Sequence, residues 1–268
     1  MKKSRRHALG QHFLVQPGLL QKIVRVVDPQ PDELILEVGP GRGALTAGLA
    51  DKAGRVLGVE KDGRLVPILK GLNLPRTTVL EADILALDWA ALIGAELGSC
   101  RRAKLAGNIP YAISSPLLAK VQEARSLFAR VVFLLQKEFA ERLTAGPGTK
   151  RYAPLSILIQ RWFEVKRHFT ISAGAFIPPP KVESEVISLV PRSGPPEPVG
   201  NEDSWAEFLR GCFHQRRKTL ANNLEARGLP RQAVRAAFAS RGLTDKVRAE
   251  ELGSAEFAAL FKILGTVD

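Results

Sequence analysis

Glu33-Leu34-Ile35-Leu36-Glu37-Val38-Gly39-Pro40-Gly41-Arg42-Gly43-Ala44 decides how the rest of the chain is read. The first six residues form a short apolar run with Pro31 before it and glycines after it, the pattern of a buried strand. Gly39, Gly41 and Gly43 then permit a tight turn and let the backbone approach a ligand closely, because they carry no Cβ. Leu45 and Leu49, set among alanines, continue as a short helix. A strand entering a helix through a glycine turn opens a nucleotide-binding α/β fold, and Gly39-x-Gly41-x-x-Ala44 also satisfies the dinucleotide fingerprint.

Working outward, Arg55 to Val59 reads as a second strand ending at Glu60, Leu65 to Leu72 as a helix, and Thr77 to Leu80 as a third strand running to Asp83. Ala103 to Gly107 is a fourth strand, Pro116 to Arg125 a helix with proline in its first turn, and Arg130 to Gln136 a fifth, strongly apolar strand. Further strands are expected near Phe163–Phe169 and Glu185–Val190. This alternation implies an α/β, Rossmann-like domain with a parallel sheet and helices on both faces, over residues 1–190 with a basic N-terminal arm. Residues 191–200 carry four prolines and read as a stiff linker. Beyond it, Trp205, Phe208, Leu209, Cys212 and Phe213 share one helical face, Gly228 with Pro230 and Gly242 punctuate, and Ser254 looks like a helix cap, so 201–268 is expected to be a small C-terminal α-helical domain.

Two acidic residues sharpen the glycine loop. Glu60, 21 residues past Gly39 at a strand end, is placed to accept from both hydroxyls of a ribose, and Asp83 from an adenine amino group. Glu37, just before the loop, opposes a pyrophosphate but suits the ammonium of a methionine moiety. The set favours S-adenosylmethionine over a nicotinamide cofactor.

Asn108-Ile109-Pro110-Tyr111 follows the fourth strand at the same edge of the sheet. The exocyclic N6 of adenine is a poor nucleophile because its lone pair is delocalised into the ring. Acceptors aimed at its hydrogens, the Asn108 side-chain oxygen and a main-chain carbonyl at Ile109 or Pro110, favour a pyramidal nitrogen with that pair free. Pro110 holds Ile109 extended, and Tyr111 can stack on the base.

These residues resemble the small-subunit ribosomal RNA adenine dimethyltransferases. The likeness runs through Leu9-Gly10-Gln11-His12-Phe13-Leu14, the 37–46 loop, Glu60-Lys61-Asp62, Glu81-Ala82-Asp83-Ile84, the 108–118 stretch, Phe176-Ile177-Pro178-Pro179-Pro180-Lys181-Val182-Glu183-Ser184 and Phe213-His214-Gln215-Arg216-Arg217-Lys218-Thr219-Leu220. The resemblance implies a methyltransferase using S-adenosylmethionine, with His12 and Leu14 closing over the cofactor and Gly39, Gly41, Gly43, Glu60, Asp83 and Asn108 completing its site. It implies that Asn108, Pro110 and Tyr111 carry the chemistry and that Phe176 sandwiches a flipped adenine against Tyr111. The reaction it implies puts two methyls on N6 of each of two adjacent adenosines near the 3′ end of 16S rRNA, in the small (30S) ribosomal subunit or its precursor. His12 and Ala112 stand where relatives commonly carry Asn. A 23S rRNA enzyme of the macrolide-resistance type shares the Asn-Ile-Pro-Tyr kind of loop; the Ser114-Ser115-Pro116-Leu117-Leu118 continuation and the 213–220 segment favour the small-subunit enzyme. The rivals from other classes are a nicotinamide oxidoreductase, for which no acid/base partner of a hydride is evident, and a non-catalytic assembly factor on the same fold.

Charge is consistent with a polyanionic partner. The 268 residues carry a formal charge of +12. Residues 26–100 hold eleven acidic against seven basic side chains, whereas 101–190 hold fourteen basic against six acidic. Arg216, Arg217 and Lys218 are read as RNA-phosphate contacts on the exposed side of the Trp205 helix. Lys2, Lys3, Arg5 and Arg6, and a loop at Lys150-Arg151-Tyr152, are weaker RNA candidates. His168 and His214 lack partners at metal or triad spacing, and no metal set is evident. Cys100 and Cys212 form no disulfide framework. No eighteen-residue stretch is free of charge, and Gln11, His12, Gln16 and Pro17 interrupt any signal-peptide core, so a monomeric cytoplasmic protein without membrane contact is expected.

Overall fold

The structure, a computed structural model, describes residues 11–265. It divides into two compact units, Met1–Ala140 with Glu164–Pro191, and Glu141–Phe163 with Arg192–Asp268.

The first unit runs β1 (Phe13–Leu14), α1 (Pro17–Val27), β2 (Glu33–Val38), α2 (Ala44–Ala50), β3 (Arg55–Glu60), α3 (Val66–Gly71), β4 (Thr77–Glu81), α4 (Trp89–Glu96), β5 (Arg102–Asn108), α5 (Ser114–Glu123) and β6 (Phe128–Gln136). Helices α6 (Lys137–Thr144) and α7 (Pro154–Trp162) precede β7 (Phe163–Ile171), β8 (Phe176–Ile177) and β9 (Ser184–Pro191). Seven strands form one sheet in the order β4-β3-β2-β5-β6-β9-β7. The ladders joining β4, β3, β2, β5 and β6 are all parallel, as the strand–helix alternation predicts. The ladder between β6 and β9 is antiparallel, so the sheet is mostly parallel.

Leu34, Ile35 and Leu36 have no exposed surface, so both faces of β2 are covered, which is why this strand reads as a continuous apolar run. Ile35, Val56, Ala106 and Val132 from four neighbouring strands pack with Ile23, Val24 and Val27 of α1 and Leu45 and Leu49 of α2. At the amino ends of the strands the core contains an ion pair. Lys104 Nζ lies 2.7 Å from the Glu33 carboxylate, both side chains almost fully buried, and also donates to the Asp28 carbonyl at 2.6 Å. β1 and β8 form a separate ribbon, with Phe13 opposite Ile177 and Leu14 opposite Phe176.

The second unit contains α7, α8 (Glu202–Cys212), α9 (Leu220–Glu225), α10 (Arg231–Ser240) and α11 (Ser254–Leu264). Trp205, Leu209 and Cys212 are fully buried, and Phe208 and Phe213 flank them, as the helical spacing predicts. Gly228 and Gly242 adopt positive φ after their helices. Ser254, however, is the first helical residue rather than the cap, a position held by Gly253.

The boundaries differ from the sequence reading in two places. Residues 141–163 belong to this unit because Tyr152 and Ile157 join its core with Val199, Trp205 and Phe257. The proline-rich stretch is not a free linker either. Val199 is in the core, Arg161 donates to the Glu197 carbonyl at 2.5 Å, and the buried Arg161 guanidinium pairs with Glu202 at 2.9 Å. Proline content marks stiffness but says nothing about what a stretch packs against. Among the described residues no helix is long and apolar enough to cross a membrane.

Replacing Lys104 with Met leaves the Glu33 carboxylate buried beside an apolar chain. The expected loss is about 3–5 kcal/mol of unfolding free energy in urea titrations; an unchanged midpoint would show that the pair does not hold the sheet together.

Candidate active site

The parallel register brings the carboxyl ends of β2, β3 and β5 into line, with Val38 opposite both Val59 and Gly107. The glycine turn sits directly beyond this edge. Gly39 and Gly41 both have φ of +63°, and Gly39 N–H donates to the Val59 carbonyl at 2.9 Å. Glu60, 4% exposed, staples the turn: one carboxylate oxygen accepts from Gly41 N–H at 2.9 Å, the other from Asp62 N–H at 2.8 Å. Each oxygen retains a lone pair for a ribose hydroxyl. Gly43 serves a different purpose from the one expected. A Cβ there would run into the Leu72 side chain, so the absent side chain makes room for α3 packing, and Gly43 lines neither cavity at the turn.

Two cavities meet at this edge. The larger, about 290 Å³, lies between the ribbon and the turn, lined by Leu14, Leu20, Ile23, Glu37, Arg42 and Asn108 among others. Among the described residues Glu37 is its only carboxylate, and the Glu37 Oε2 atom is buried with no hydrogen-bond partner. Burial pushes the carboxyl up to about 8, the charge of Glu60 adds to this, and the neighbouring Thr46 hydroxyl pulls the other way. A buried carboxylate oxygen with no partner among the described residues, on a residue that borders a mostly apolar cavity, fits a ligand that brings its own cationic group. Arg42, stacked over the Phe13 ring with its guanidinium carbon 5.3 Å from the centroid, supplies the opposite charge in the same cavity.

The smaller cavity, about 60 Å³, is lined by Gln11, His12, Glu60, Asn108 to Tyr111 and Phe176. Asn108 borders both cavities. Its Nδ2 donates to the His12 carbonyl at 2.8 Å, and since a carbonyl can only accept, this fixes the amide with Oδ1 as the free acceptor. The two main-chain carbonyls differ in their partners. Pro110 C=O accepts from Ile113 N–H at 3.0 Å in the turn that follows, whereas among the described residues Ile109 C=O accepts no hydrogen bond. Ile109 N–H is anchored on the Leu134 carbonyl at 3.1 Å. Tyr111 is held at both ends, its hydroxyl 3.1 Å from Ser184 Oγ and its ring 6.0 Å from the His12 imidazole.

Most of the predicted site residues converge here. His12 acts through its carbonyl, while its Nδ1 donates to the Pro178 carbonyl at 2.8 Å. Leu14 and Phe176 are buried cross-strand neighbours in the ribbon, and Phe176 lines the same cavity as Tyr111. Asp83 borders neither cavity. It pairs with Lys61 at 2.7 Å and accepts from Leu85 N–H at 3.0 Å, and the Lys61 hydrogen bond does most to hold its carboxyl below the usual range. Gln11 and Phe13 carry no role in the sequence reading, and the Ile109 carbonyl stands there only as an alternative to that of Pro110. Gln11 and Phe13 lie in a stretch whose only signal was family likeness, and a free carbonyl has no sequence signature.

Arg216, Arg217 and Lys218 do not lie on the Trp205 helix, which ends at Cys212, but in the loop leading to α9. Buried Asn223 holds that loop, donating to the Cys212 and Gln215 carbonyls and accepting from Gln215 N–H. Arg216 is paired with Glu250 at 3.0 Å, whereas Arg217 and Lys218 are exposed and have no acidic partner among the described residues. In the 150–152 loop Tyr152 is buried in the core, Arg151 pairs with Glu141 at 3.4 Å and Lys150 is exposed. Lys2, Lys3, Arg5 and Arg6 lie outside the described residues. Among the described residues no group of three acidic, His or Cys side chains could hold a metal ion.

Residues 2–266 match the family described as ribosomal RNA adenine dimethylase. This chain belongs to that family. "Ribosomal RNA small subunit methyltransferase A" of Geobacter sulfurreducens is 44% identical over 261 residues, covering 96% of this chain and 94% of the relative. The protein of the same name from Geobacillus kaustophilus is 39% identical, covering 96% and 90%. Among solved structures, a dimethyladenosine transferase from Plasmodium falciparum superposes with a TM-score of 0.77 at 28% identity, covering 94% of this chain and 96% of the other. The 23S rRNA methyltransferase ErmE gives 0.72 at 26%, covering 94% and 99%. This adenine dimethylase is therefore a methyltransferase with a Rossmann-like fold, and the oxidoreductase and non-catalytic readings fall.

Since the folded Glu37 carboxyl titrates near 8 against an ordinary value of 4.5, the folded state binds more protons than the unfolded chain between those values. Stability from this group is therefore present at low pH and is lost as pH rises through that window. Glu37→Gln is expected to flatten the decline between about pH 5 and about pH 8 in thermal melts; parallel pH profiles for the two proteins would contradict the burial of a titrating carboxyl.

Proposed function

We propose that this adenine dimethylase transfers methyl groups from S-adenosylmethionine to N6 of two adjacent adenosines near the 3′ end of 16S rRNA, in the small ribosomal subunit or its precursor. The observation that carries this reading is the Asn108 amide, locked by the His12 carbonyl so that Oδ1 is left as an acceptor beside the Ile109 carbonyl, in residues that both line the smaller cavity while Asn108 also borders the larger. Two acceptors match the two hydrogens of an adenine amine.

When bound, S-adenosylmethionine supplies a methyl group activated by its sulfonium. Glu37 and Arg42 suit the ammonium and carboxylate of its methionine part, and Glu60 suits its ribose. Asp83, at the loop after β4, suits its adenine edge. For the target base, Tyr111 and Phe176 supply aromatic surface in the smaller cavity, a contact worth roughly 1–3 kcal/mol per stacked base. Asn108 and the Ile109 carbonyl draw the N6 hydrogens toward themselves and leave the nitrogen pair directed elsewhere. No strong base is required, because the methylated nitrogen is acidic until it loses its proton. Alignment of this kind accounts for about 7–11 kcal/mol of barrier lowering in well-oriented systems.

The small-subunit substrate is favoured over the large by the 44% identical relative, named for the small subunit, against 26% for the 23S rRNA enzyme. Labelled-methyl transfer into isolated small and large subunits tests this directly. Incorporation confined to the large subunit would overturn it.

Asn108→Ala is expected to lower methyl transfer by roughly a hundredfold or more while leaving RNA affinity near its original value; retention of full activity would remove the mechanism. Removing charge at Arg217 and Lys218 is expected to weaken small-subunit binding and to reduce the slope of log affinity against log salt by about one to two. Arg216→Ala is expected to do less, because Glu250 already neutralises it.

A further inference from the structure

Ser184 opens β9 opposite Gln136 and is 1% exposed. Its hydroxyl is 3.1 Å from that of Tyr111, which lies 73 residues away in the turn after β5. The adjoining backbone is pinned, since Lys137 N–H donates to the Glu183 carbonyl at 3.0 Å, so Ser184 is a fixed post rather than a mobile side chain. Tyr111 is thereby held at its hydroxyl by the sheet, and its ring stands over the smaller cavity beside His12.

The importance of that grip changes during the reaction. An unmodified adenine amine presents two N–H groups, one each for Asn108 Oδ1 and the Ile109 carbonyl. In each transfer the N6 pair forms the new bond to carbon, the carbon–sulfur bond breaks with its electron pair remaining on sulfur, and one proton leaves N6 for water. After the first transfer N6 keeps one hydrogen, so only one of the two acceptors is engaged and the base loses one of its two in-plane restraints. The aromatic contact must then carry more of the alignment for the second transfer.

We propose that Ser184 is a positioning residue that sets the orientation of Tyr111 and, through it, the completeness of dimethylation. This rests on the adenine-N6 reading above. Loss of the Ser184 hydroxyl impairs the second methyl addition more than the first, so that N6-monomethyladenosine accumulates.

The test is mass spectrometry of small-subunit rRNA after reaction with the full-length protein, comparing mono- and dimethylated adenosine at matched total methyl incorporation. Matching incorporation removes any effect of fewer folded molecules, which slows both steps alike. Ser184→Ala is expected to raise the monomethyl share roughly threefold to tenfold, the scale of one lost neutral hydrogen bond. Tyr111→Phe, which removes the other half of the same bond, is expected to do the same, and the double variant no more than either single one. Donor affinity by calorimetry is expected to stay unchanged in Ser184→Ala. If the unaltered protein forms both products and neither single variant shifts their ratio, or if the two shifts add, the positioning role is overturned. If the unaltered protein forms neither product, the adenine-N6 reading falls and takes this proposal with it.

Discussion

The geometry of the site hangs on the parallel register of β2, β3, β5 and β6. Val38 stands opposite Val59 and Gly107, and Asn108 opposite Leu134, so the glycine turn, Glu60 and the Asn108 loop all emerge at one edge. That register is enforced by apolar burial on both faces of β2 and by the Lys104–Glu33 pair at the opposite end. A one-residue slip would turn each side chain of a strand to the other face and separate the Glu60 carboxylate from the Gly41 N–H it holds.

Within that frame, polar groups at the edge fall into two kinds. Some are satisfied internally and serve as staples: Glu60 on the glycine turn, Asp83 on Lys61 and Leu85, Asn108 Nδ2 on His12, and Tyr111 on Ser184. Others have no partner among the described residues, notably Glu37 Oε2, which is buried, and the Ile109 carbonyl. A buried polar atom without a partner is costly, so a site that keeps one is arranged for something that supplies the missing contact. The staples hold still what the unpartnered groups present.

Legibility in the sequence followed locality. β2 was read to the residue, and the other central strands within one or two, because each is a short apolar run between glycine, proline or polar breaks. The helical face of Trp205, Leu209 and Cys212 was equally plain from its spacing. Errors arose where contacts join distant segments. Residues 141–163 pack with the C-terminal helices through Tyr152 and Ile157, and neither residue carries a local mark of that destination. Gly43 resembles its neighbours in the turn, yet its missing side chain accommodates Leu72 rather than a ligand. Charge says which residues seek water and not what shape the backbone takes, so the helix expected at Arg216–Lys218 is a loop in the structure.

The sequence by itself determined the strand–helix alternation, the glycine turn, the acidic strand ends and the Asn-Ile-Pro-Tyr loop, since all of these depend on spacing between near neighbours. Only the tertiary structure decided which Asn108 atom is free, which carbonyl stands beside it, that Arg216 is already paired, and that Ser184 reaches Tyr111. Those outcomes depend on hydrogen-bond partners between 34 and 96 residues apart or on which acceptors a turn has already used. The directional bond that selects one atom over another exists only after the sheet has brought its two ends together.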